Sequence, residues 1–425
     1  MGADRANVQT RCCRLVTVAS ALSGIVPVEA LAEPDEDRWA SLGARPEAVV
    51  GPADEAEAAA VMAWASREGF GVVPAGSGRR FGPRRMGVPY VVLTSERLCG
   101  LEIYEPADVT FTARAGTPVR DIAAELDSNR QWLPFDPPDV SGRTVAGLVA
   151  DGASGPLWMG YGALRNHVLG MTVVTGDGRV LRLGGRVVKN VAGFDVLKLM
   201  VGGRGRLGFI TSVCMRAFPV PPAERVLTLE APAIVELIPA ALAVGTAPAL
   251  PVSCVVGAGA AGGPARLSVR LHGAEATVEA DRRTLEAHAG VEFVVSEGRR
   301  WGGDAEPTPG QPAPSTAPET VVAVSVLPSR LPEAVAAVEP LHPIALSIDT
   351  YAARMRITLA GAPADGIMAL RDRVESLGGA LAVERAPPGK DPVGWASRPS
   401  DAERELELGV TRAFDPEGVL WRSAR

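Results

Sequence analysis

The residues best suited to chemistry lie in two glycine-rich stretches. The first, Pro74-Ala75-Gly76-Ser77-Gly78-Arg79-Arg80, follows the apolar run Phe70–Pro74. Successive backbone N–H groups in such a loop converge on a concavity that accepts an anion, and the arginines add positive charge. The plain alternative is a tight turn. The second stretch begins at Thr144 and reads TVAGLVADGASGP, then YGALRNHVLGMTVVTGDGRVLRLGG, then RVVKNVAGFDVLKLMVGGRGRLGFITSVCMRAFP, ending at Pro219. Glycine is selected where the backbone takes positive φ or must lie close against something. So dense a series predicts a backbone wrapped around a large flat ligand. Gly203, Gly205 and Gly208 spell G-x-G-x-x-G, which binds a dinucleotide only when a strand precedes it and a helix follows. Here Asp195–Val201 reads as helix and Phe209–Val213 as strand. The order is reversed, and a Rossmann site is rejected.

Other chemistry has less support. The four histidines, His167, His272, His288 and His342, lie far apart, with no H-x-H or H-E-x-x-H pair, so no metal site is expected. Cys12, Cys13, Cys99, Cys214 and Cys254 are odd in number and lack C-x-x-C spacing. They read as reduced thiols of a cytoplasmic protein, with no iron–sulfur cluster. At 425 residues, 47% hydrophobic and 22% charged, the chain has material for two or three globular domains. Its net charge of −6 offers no basic field for nucleic acid. No apolar run reaches the roughly 18 residues of a membrane span. At the N-terminus, Arg11–Arg14, Leu15–Val28 and Ala30-Leu31-Ala32 allow a signal-peptide reading. Leu15, Val18, Ala19, Leu22 and Ile25–Val26 recur at helical spacing, which favours an opening amphipathic helix.

These motifs need elements to hold them. Pro46–Pro52 reads as a strand, and Asp54 with Glu57 forms a capping box that starts a helix ending at Gly69. Phe70–Pro74 is the next strand, so the chain opens as β–α–β. Tyr90–Leu93 follows as a strand, Leu98–Ile103 as strand or turn and Asp108–Ala113 as a strand, then a helix from Val119 to about Asn129, then the extended run Leu133–Asp139. Gly147–Ala150 with Gly152 and Gly155 reads as a glycine-rich crossing. His167–Thr175 and Arg179–Leu183 form a hairpin about Gly176-Asp177-Gly178. Parallel and antiparallel units together predict an α+β fold.

These residues resemble a known family. PAGSG (Pro74–Gly78), TVAG (Thr144–Gly147), SGP (Ser154–Pro156), YG-x-LRN-x-VLG (Tyr161–Gly170) and GGRVVKNVAGFDVLKLMVGGRGRLGFI (Gly184–Ile210) resemble the PCMH-type FAD-binding domain of the vanillyl-alcohol oxidase superfamily. Within it they are most similar to the FAD-binding subunits of bacterial glycolate dehydrogenase (glycolate oxidase), the GlcE type. The likeness covers about Pro46–Pro219, and Asp391–Trp395 and Thr411–Leu420 resemble the family's closing segment. It implies non-covalent FAD. Backbone N–H groups of Gly76, Ser77, Gly78 and Arg79, beside Pro74 and Ala75, would meet the pyrophosphate. Thr144, Val145, Ala146, Gly147, Ser154 and Gly155 would lie along the dinucleotide, and Arg165–Val168 (Arg165 and Val168 at its ends) would border the flavin or ribityl side. Gly205, Gly208 and Ile210 would contact the adenine end. Gly185, Lys189 and Asn190 sit in the most specific motif, and Lys189 either meets the flavin or pairs with a neighbouring carboxylate.

The chain departs from the family at Ala146, at Phe194, and at Gly202–Gly208, where a serine and a threonine are missing. Arg206 there either pairs with a phosphate or points outward. The terminus LWRSAR lacks the usual Asn-Pro-Gly-Arg, and no histidine lies near Pro74–Gly78 to attach FAD.

Beyond Pro219 two β-α-β-β-α-β-like halves follow, separated by the Pro/Gly-rich stretch 301–319. They predict an antiparallel sheet with helices on one face, the cap of the superfamily. The expected division is 1–45 N-terminal helical segment, 46–219 FAD domain, 220–384 cap and 385–425 a segment returning to the FAD domain. Oxidation of a 2-hydroxy acid needs a flavin, a base near the hydroxyl and a cation for the carboxylate. His272 (at the exposed end of its strand), His288 and His342 read as structural. Arg354 and Arg356 alternate on one strand face as a solvated pair or a carboxylate site. The resemblance therefore implies a subunit acting with a sister flavoprotein and an iron–sulfur subunit on a small 2-hydroxy acid. It is expected in the cytoplasm, with membrane association only through those subunits. The alternatives are a self-sufficient FAD oxidoreductase and a scaffold that has lost its cofactor.

Overall fold

The computed structural model describes residues 18–39, 42, 44–78, 88–138, 140–185, 195–259, 263–298, 318–387, 390, 395–397 and 399–420. Residues 18–23 are helical, and Val18, Leu22, Val26 and Ala30 are buried in the first core. The helical spacing read there is present; residues 1–17 lie outside the described residues.

The first sheet contains β1 (Leu31–Ala32), β2 (Ala48–Val50), β3 (Gly71–Ala75) and β4 (Tyr90–Thr94), ordered β1-β2-β4-β3. β2 and β3 both pair with β4 in parallel. The helix Glu55–Glu68 joins β2 to β3. Asp54 accepts the Glu57 N–H at 2.8 Å, Glu57 accepts the Ala53 N–H at 2.7 Å, and Gly69 closes the helix at φ 70°. Its inner face buries Val61, Met62, Trp64 and Ala65. The chain then forms β5 (Leu101–Glu105), β6 (Thr110–Arg114), β7 (Gln131–Trp132), β8 (Val168–Val174), β9 (Val180–Gly184), β10 (Phe209–Arg216) and β11 (Phe218–Pro219). Five of these make an antiparallel sheet, β5-β6-β10-β8-β9, and β7 pairs with β11.

The C-terminal end packs here too. Val72 N–H donates to Val419 O at 2.8 Å, and Val419 and Leu420 belong to the first core. Asp415, fully buried, turns the chain by accepting the N–H groups of Val419 and Leu420.

The remaining strands form one eight-stranded antiparallel sheet around a second core. They are β12 (Ala223–Ala231), β13 (Ser253–Gly259), β14 (Ala265–Gly273), β15 (Val294–Glu297), β16 (Glu319–Ser325), β17 (Ala345–Asp349), β18 (Arg354–Ala360) and β19 (Ala380–Arg385). Their order, β15-β12-β14-β13-β17-β18-β16-β19, is two β-α-β-β-α-β halves joined edge to edge through β13 and β17. Helices Ile234–Thr246, Glu275–Ala289, Leu331–Val338 and Ala364–Ser376 contribute apolar side chains to that core. The fold is thus α+β, as expected. Two local expectations are corrected. Gly147–Ala150 lies inside a helix, Val145–Asp151, because Thr144 caps it. The helix expected over Asp195–Val201 is confined to Leu197–Met200.

Candidate cofactor site and the interface beside it

β3 delivers its loop directly against the Thr144 motif. A Cβ on Gly76 would stand 2.5 Å from Thr144 Oγ1. Sixty-eight positions of sequence separate the two, and the parallel sheet brings them together. Gly78, at φ 73°, lies under Arg38 and the Trp39 ring, where a Cβ would come within 2.9 Å of Arg38 Nε. Among the described residues, no acceptor takes the N–H of Gly76, Ser77 or Gly78. Three consecutive open amides, with no room for a Cβ at Gly76 or Gly78, fit one anionic group of a dinucleotide. Arg38 adds a cation: it pairs with Glu96 at 2.6 Å and reaches Ser77 O at 3.4 Å. Nothing in its local sequence marks that role. Arg79 and Arg80 lie outside the described residues.

The start of helix Val145–Asp151 is different. Val145 N–H donates to Thr117 O, Ala146 N–H to Ala115 O at 3.1 Å, and Gly147 N–H to Thr144 Oγ1 at 3.1 Å. These residues offer a smooth surface of small side chains and no open donor. Gly116 holds the arrangement, since a Cβ there would lie 1.9 Å from Ser95 O. Gly202 and Arg204 donate N–H groups to Val149 O and Ala150 O, so their glycine-rich run straps onto the same helix.

The other expected residues are placed as follows. Ser154 Oγ accepts the Leu164 N–H at 2.8 Å, and Gly155 lies at φ 74° where a Cβ would also come within 2.4 Å of Asp136. Arg165 is exposed and Val168 is buried at the start of β8. Gly205 has φ 77°, Gly208 presses its backbone against Val173 and Val174, and Ile210 packs on the first core. Arg206 pairs with Glu407 on helix Asp401–Phe414, 201 positions away, so its charge is directed to a carboxylate of the chain itself. Gly185 N–H bonds Leu169 O, while Lys189 and Asn190 lie outside the described residues. Asp195 pairs with Lys198 at 3.1 Å.

A buried polar cluster lies where the two cores meet. Helix Trp158–Tyr161 abuts the start of β13, where a Cβ on Gly160 would lie 2.5 Å from Val252. Tyr161 Oη bonds His272 Nδ1 at 2.8 Å, and His272 Nε2 lies 3.4 Å from Glu224 Oε1. The His272 side chain is 3% exposed and that of Glu224 8%. His272 is therefore not at an exposed strand end, as the sequence suggested: the first half of the chain covers it. Burial pushes the Tyr161 phenol upward, with a further rise from Glu224. Trp132 and Phe218 enclose Tyr161 edge-on. His167 Nε2 meets Tyr161 O at 2.6 Å, and burial lowers its pKa. The nearby Asp136 carboxyl accepts the Leu157 N–H at 2.9 Å, and burial raises its pKa to about 6. Asp349, also near 6 through burial, raises that of Asp136, while Arg270 opposes the rise.

Arg354 and Arg356 both pair with Glu384, at 3.2 and 2.9 Å, and are structural. His288 ends its helix beside Thr246, and His342 takes φ 46° in a turn. Among the described residues, no group of three or more His, Cys, Asp or Glu side chains is placed to hold a metal ion. None of their helices is long and apolar enough to cross a membrane.

Comparison with known proteins agrees with the loop chemistry. Residues 46–184 match the family described as FAD binding domain. The chain is 42% identical over 148 residues to glycolate oxidase subunit GlcE of Escherichia coli, 34% of this chain and 42% of that one. It is 30% identical over 186 residues to glycolate oxidase subunit GlcD of Bacillus subtilis, 43% of this chain and 39% of that one. It is 32% identical over 176 residues to D-lactate dehydrogenase of Archaeoglobus fulgidus, 40% of this chain and 38% of that one. The matches thus span about two fifths of these relatives' lengths. A solved structure of alkyldihydroxyacetonephosphate synthase superposes with TM-score 0.67 at 14% identity, over 94% of this chain and 83% of that one. The cofactor is FAD: residues 46–184 match the FAD binding domain family, and the chain shares the fold of alkyldihydroxyacetonephosphate synthase.

Proposed function

We propose that this chain is the FAD-binding subunit of a heteromeric 2-hydroxyacid dehydrogenase of the glycolate type. The observation that carries the reading is the trio of open amides at Gly76–Gly78 against Thr144, within the segment shared with glycolate oxidase subunits and D-lactate dehydrogenase. Gly76, Ser77 and Gly78 would hold the FAD pyrophosphate, with Arg79 and Arg38 supplying positive charge. Thr144–Gly147 and Ser154–Gly155 would flank the dinucleotide, and Arg165–Val168, Lys189, Gly205, Gly208 and Ile210 would complete its surroundings. Bound FAD supplies a hydride acceptor. The protein positions it and excludes water through the Trp132–Tyr161–Phe218 packing.

In this reading, residues 46–219 hold the cofactor, residues 220–384 cap it, and residues 385–425 return to the cofactor domain. Electrons would leave to a partner, a sister flavoprotein and an iron–sulfur subunit in the cytoplasm. The test is purification with and without FAD loading. Visible flavin absorbance that survives gel filtration is expected, together with co-purification of two subunits encoded nearby. A chain that takes up no flavin would overturn the reading.

A further inference from the structure

A cation reaches the open loop from outside the matched domain. Residues 46–184 match the FAD binding domain family, and Arg38 and Trp39 precede them, at the end of the helical turn Glu36–Trp39. Trp39 is 2% exposed and belongs to a small third core with Leu42, Val73, Ala75 and Val92. Val72 and Val91 enter the first core instead, so strand alternation puts this small core on the other face of the first sheet. The segment before the matched domain is thereby anchored beside the loop that β3 delivers.

The anchor places Arg38. Its Cζ lies 4.6 Å from the centroid of the Trp39 ring, a contact that holds a guanidinium by its flat face. Its Nη2 donates to Glu96 Oε1 at 2.6 Å and to Ser77 O at 3.4 Å. Among the described residues, no acceptor takes its Nε or Nη1, and the Glu96 carboxylate accepts from no group but Arg38. The two side chains are 29% and 50% exposed, and an ion pair this open to solvent contributes little. A diphosphate carries more charge on more oxygens than one carboxylate, and a guanidinium fork meets it with two parallel bonds. Glu96 is therefore a counter-ion that a diphosphate on the Gly76–Gly78 amides would displace.

We propose that Arg38 and Glu96 form a counter-ion latch at the cofactor site. Glu96 holds the guanidinium before FAD enters, and the guanidinium turns to the pyrophosphate as FAD enters. The inference rests on the proposed function and adds to it a control on FAD loading. Trp39 keeps the guanidinium over Gly78 in both states, so the exchange needs a rotation of the Glu96 side chain and no movement of the segment. The latch lowers FAD affinity by the strength of the Arg38–Glu96 pair. In return it neutralises a cation beside three open amides, where stray anions would otherwise bind.

The test titrates FAD into apo-protein at low salt, read by flavin fluorescence. Arg38→Met weakens FAD about 10-fold or more, and Arg38→Lys, which keeps the charge but not the fork, recovers part of that loss. Glu96→Gln tightens FAD about 3-fold. The gain disappears in the Arg38→Met/Glu96→Gln double variant, because Glu96 acts through Arg38. Added KCl weakens FAD less steeply in Arg38→Met than in wild type. Melting of each apo-protein checks that it is folded. Arg38→Met binding FAD as tightly as wild type overturns the role of Arg38. Glu96→Gln binding no tighter than wild type, or tighter to the same degree with Met at position 38, overturns the exchange. A wild type that takes up no FAD overturns the functional reading instead. ADP, which carries the same diphosphate, then decides on the latch: the same shifts support it, and equal binding by the variants or none by wild type overturns it.

Discussion

The loop Gly76–Gly78 and the helix start Thr144–Gly147 meet at Gly76 and Thr144, and both are rich in small residues, yet their backbones are in opposite states. The loop's amides are open among the described residues, while each amide of the helix start already has an acceptor at Thr117, Ala115 or Thr144. Glycine density therefore marks two different needs here. At Gly76–Gly78 it leaves donors uncovered for an anion. At Gly116, Gly155 and Gly208 it lets backbone pass within contact of Ser95, Asp136 and Val174. Only the first is chemistry; the second is shape.

The largest effect should come from filling the loop. Gly76→Val places a Cβ against Thr144 Oγ1 and should weaken FAD about 100-fold, roughly 3 kcal/mol, as read by flavin fluorescence titration. Affinity equal to wild type would show that the open amides do not hold the cofactor.

A smaller effect tests the crossing at Ser154–Gly155, where Asp136 occupies the Leu157 N–H. Burial lifts this carboxyl from 3.8 to about 6. A raised acid contributes its stability below its unfolded value and loses it as pH climbs through 6. Asp136→Asn keeps an acceptor without the charge. It should melt as wild type near pH 4 and be more stable at pH 8 by about 1–2 kcal/mol, discounted because the residue is half-buried. Equal melting at pH 8 would show that the carboxylate is compensated there.

Thr144→Ala should have the least effect. Loss of the cap costs about 1 kcal/mol in urea unfolding, with FAD affinity within a few-fold of wild type. A loss as large as that of Gly76→Val would erase the distinction between loop and helix start.

Much of the architecture was legible. Asp54, Glu57 and Gly69 bounded a helix, the Gly176–Gly178 turn a hairpin, and the repeated strand–helix pattern an eight-stranded sheet. The reversed order around Gly203–Gly208 held: a helix precedes it and β10 follows. The cap of helix Val145–Asp151 was missed because the surrounding glycines outweighed Thr144 as a signal. Arg354 and Arg356 drew attention by alternation, and the structure pairs both with Glu384.

By itself, the sequence determined the α+β class and most strands and helices, because periodicity, caps and glycine placement act over a few neighbouring residues, while FAD was legible only through a family resemblance. Tertiary structure decided which amides stay open among the described residues and which histidine is sealed. Those properties depend on atoms far along the chain: Tyr161 meets His272 across 111 positions and Arg206 meets Glu407 across 201. No local pattern encodes a partner at that distance, since only the packed sheets bring the two together.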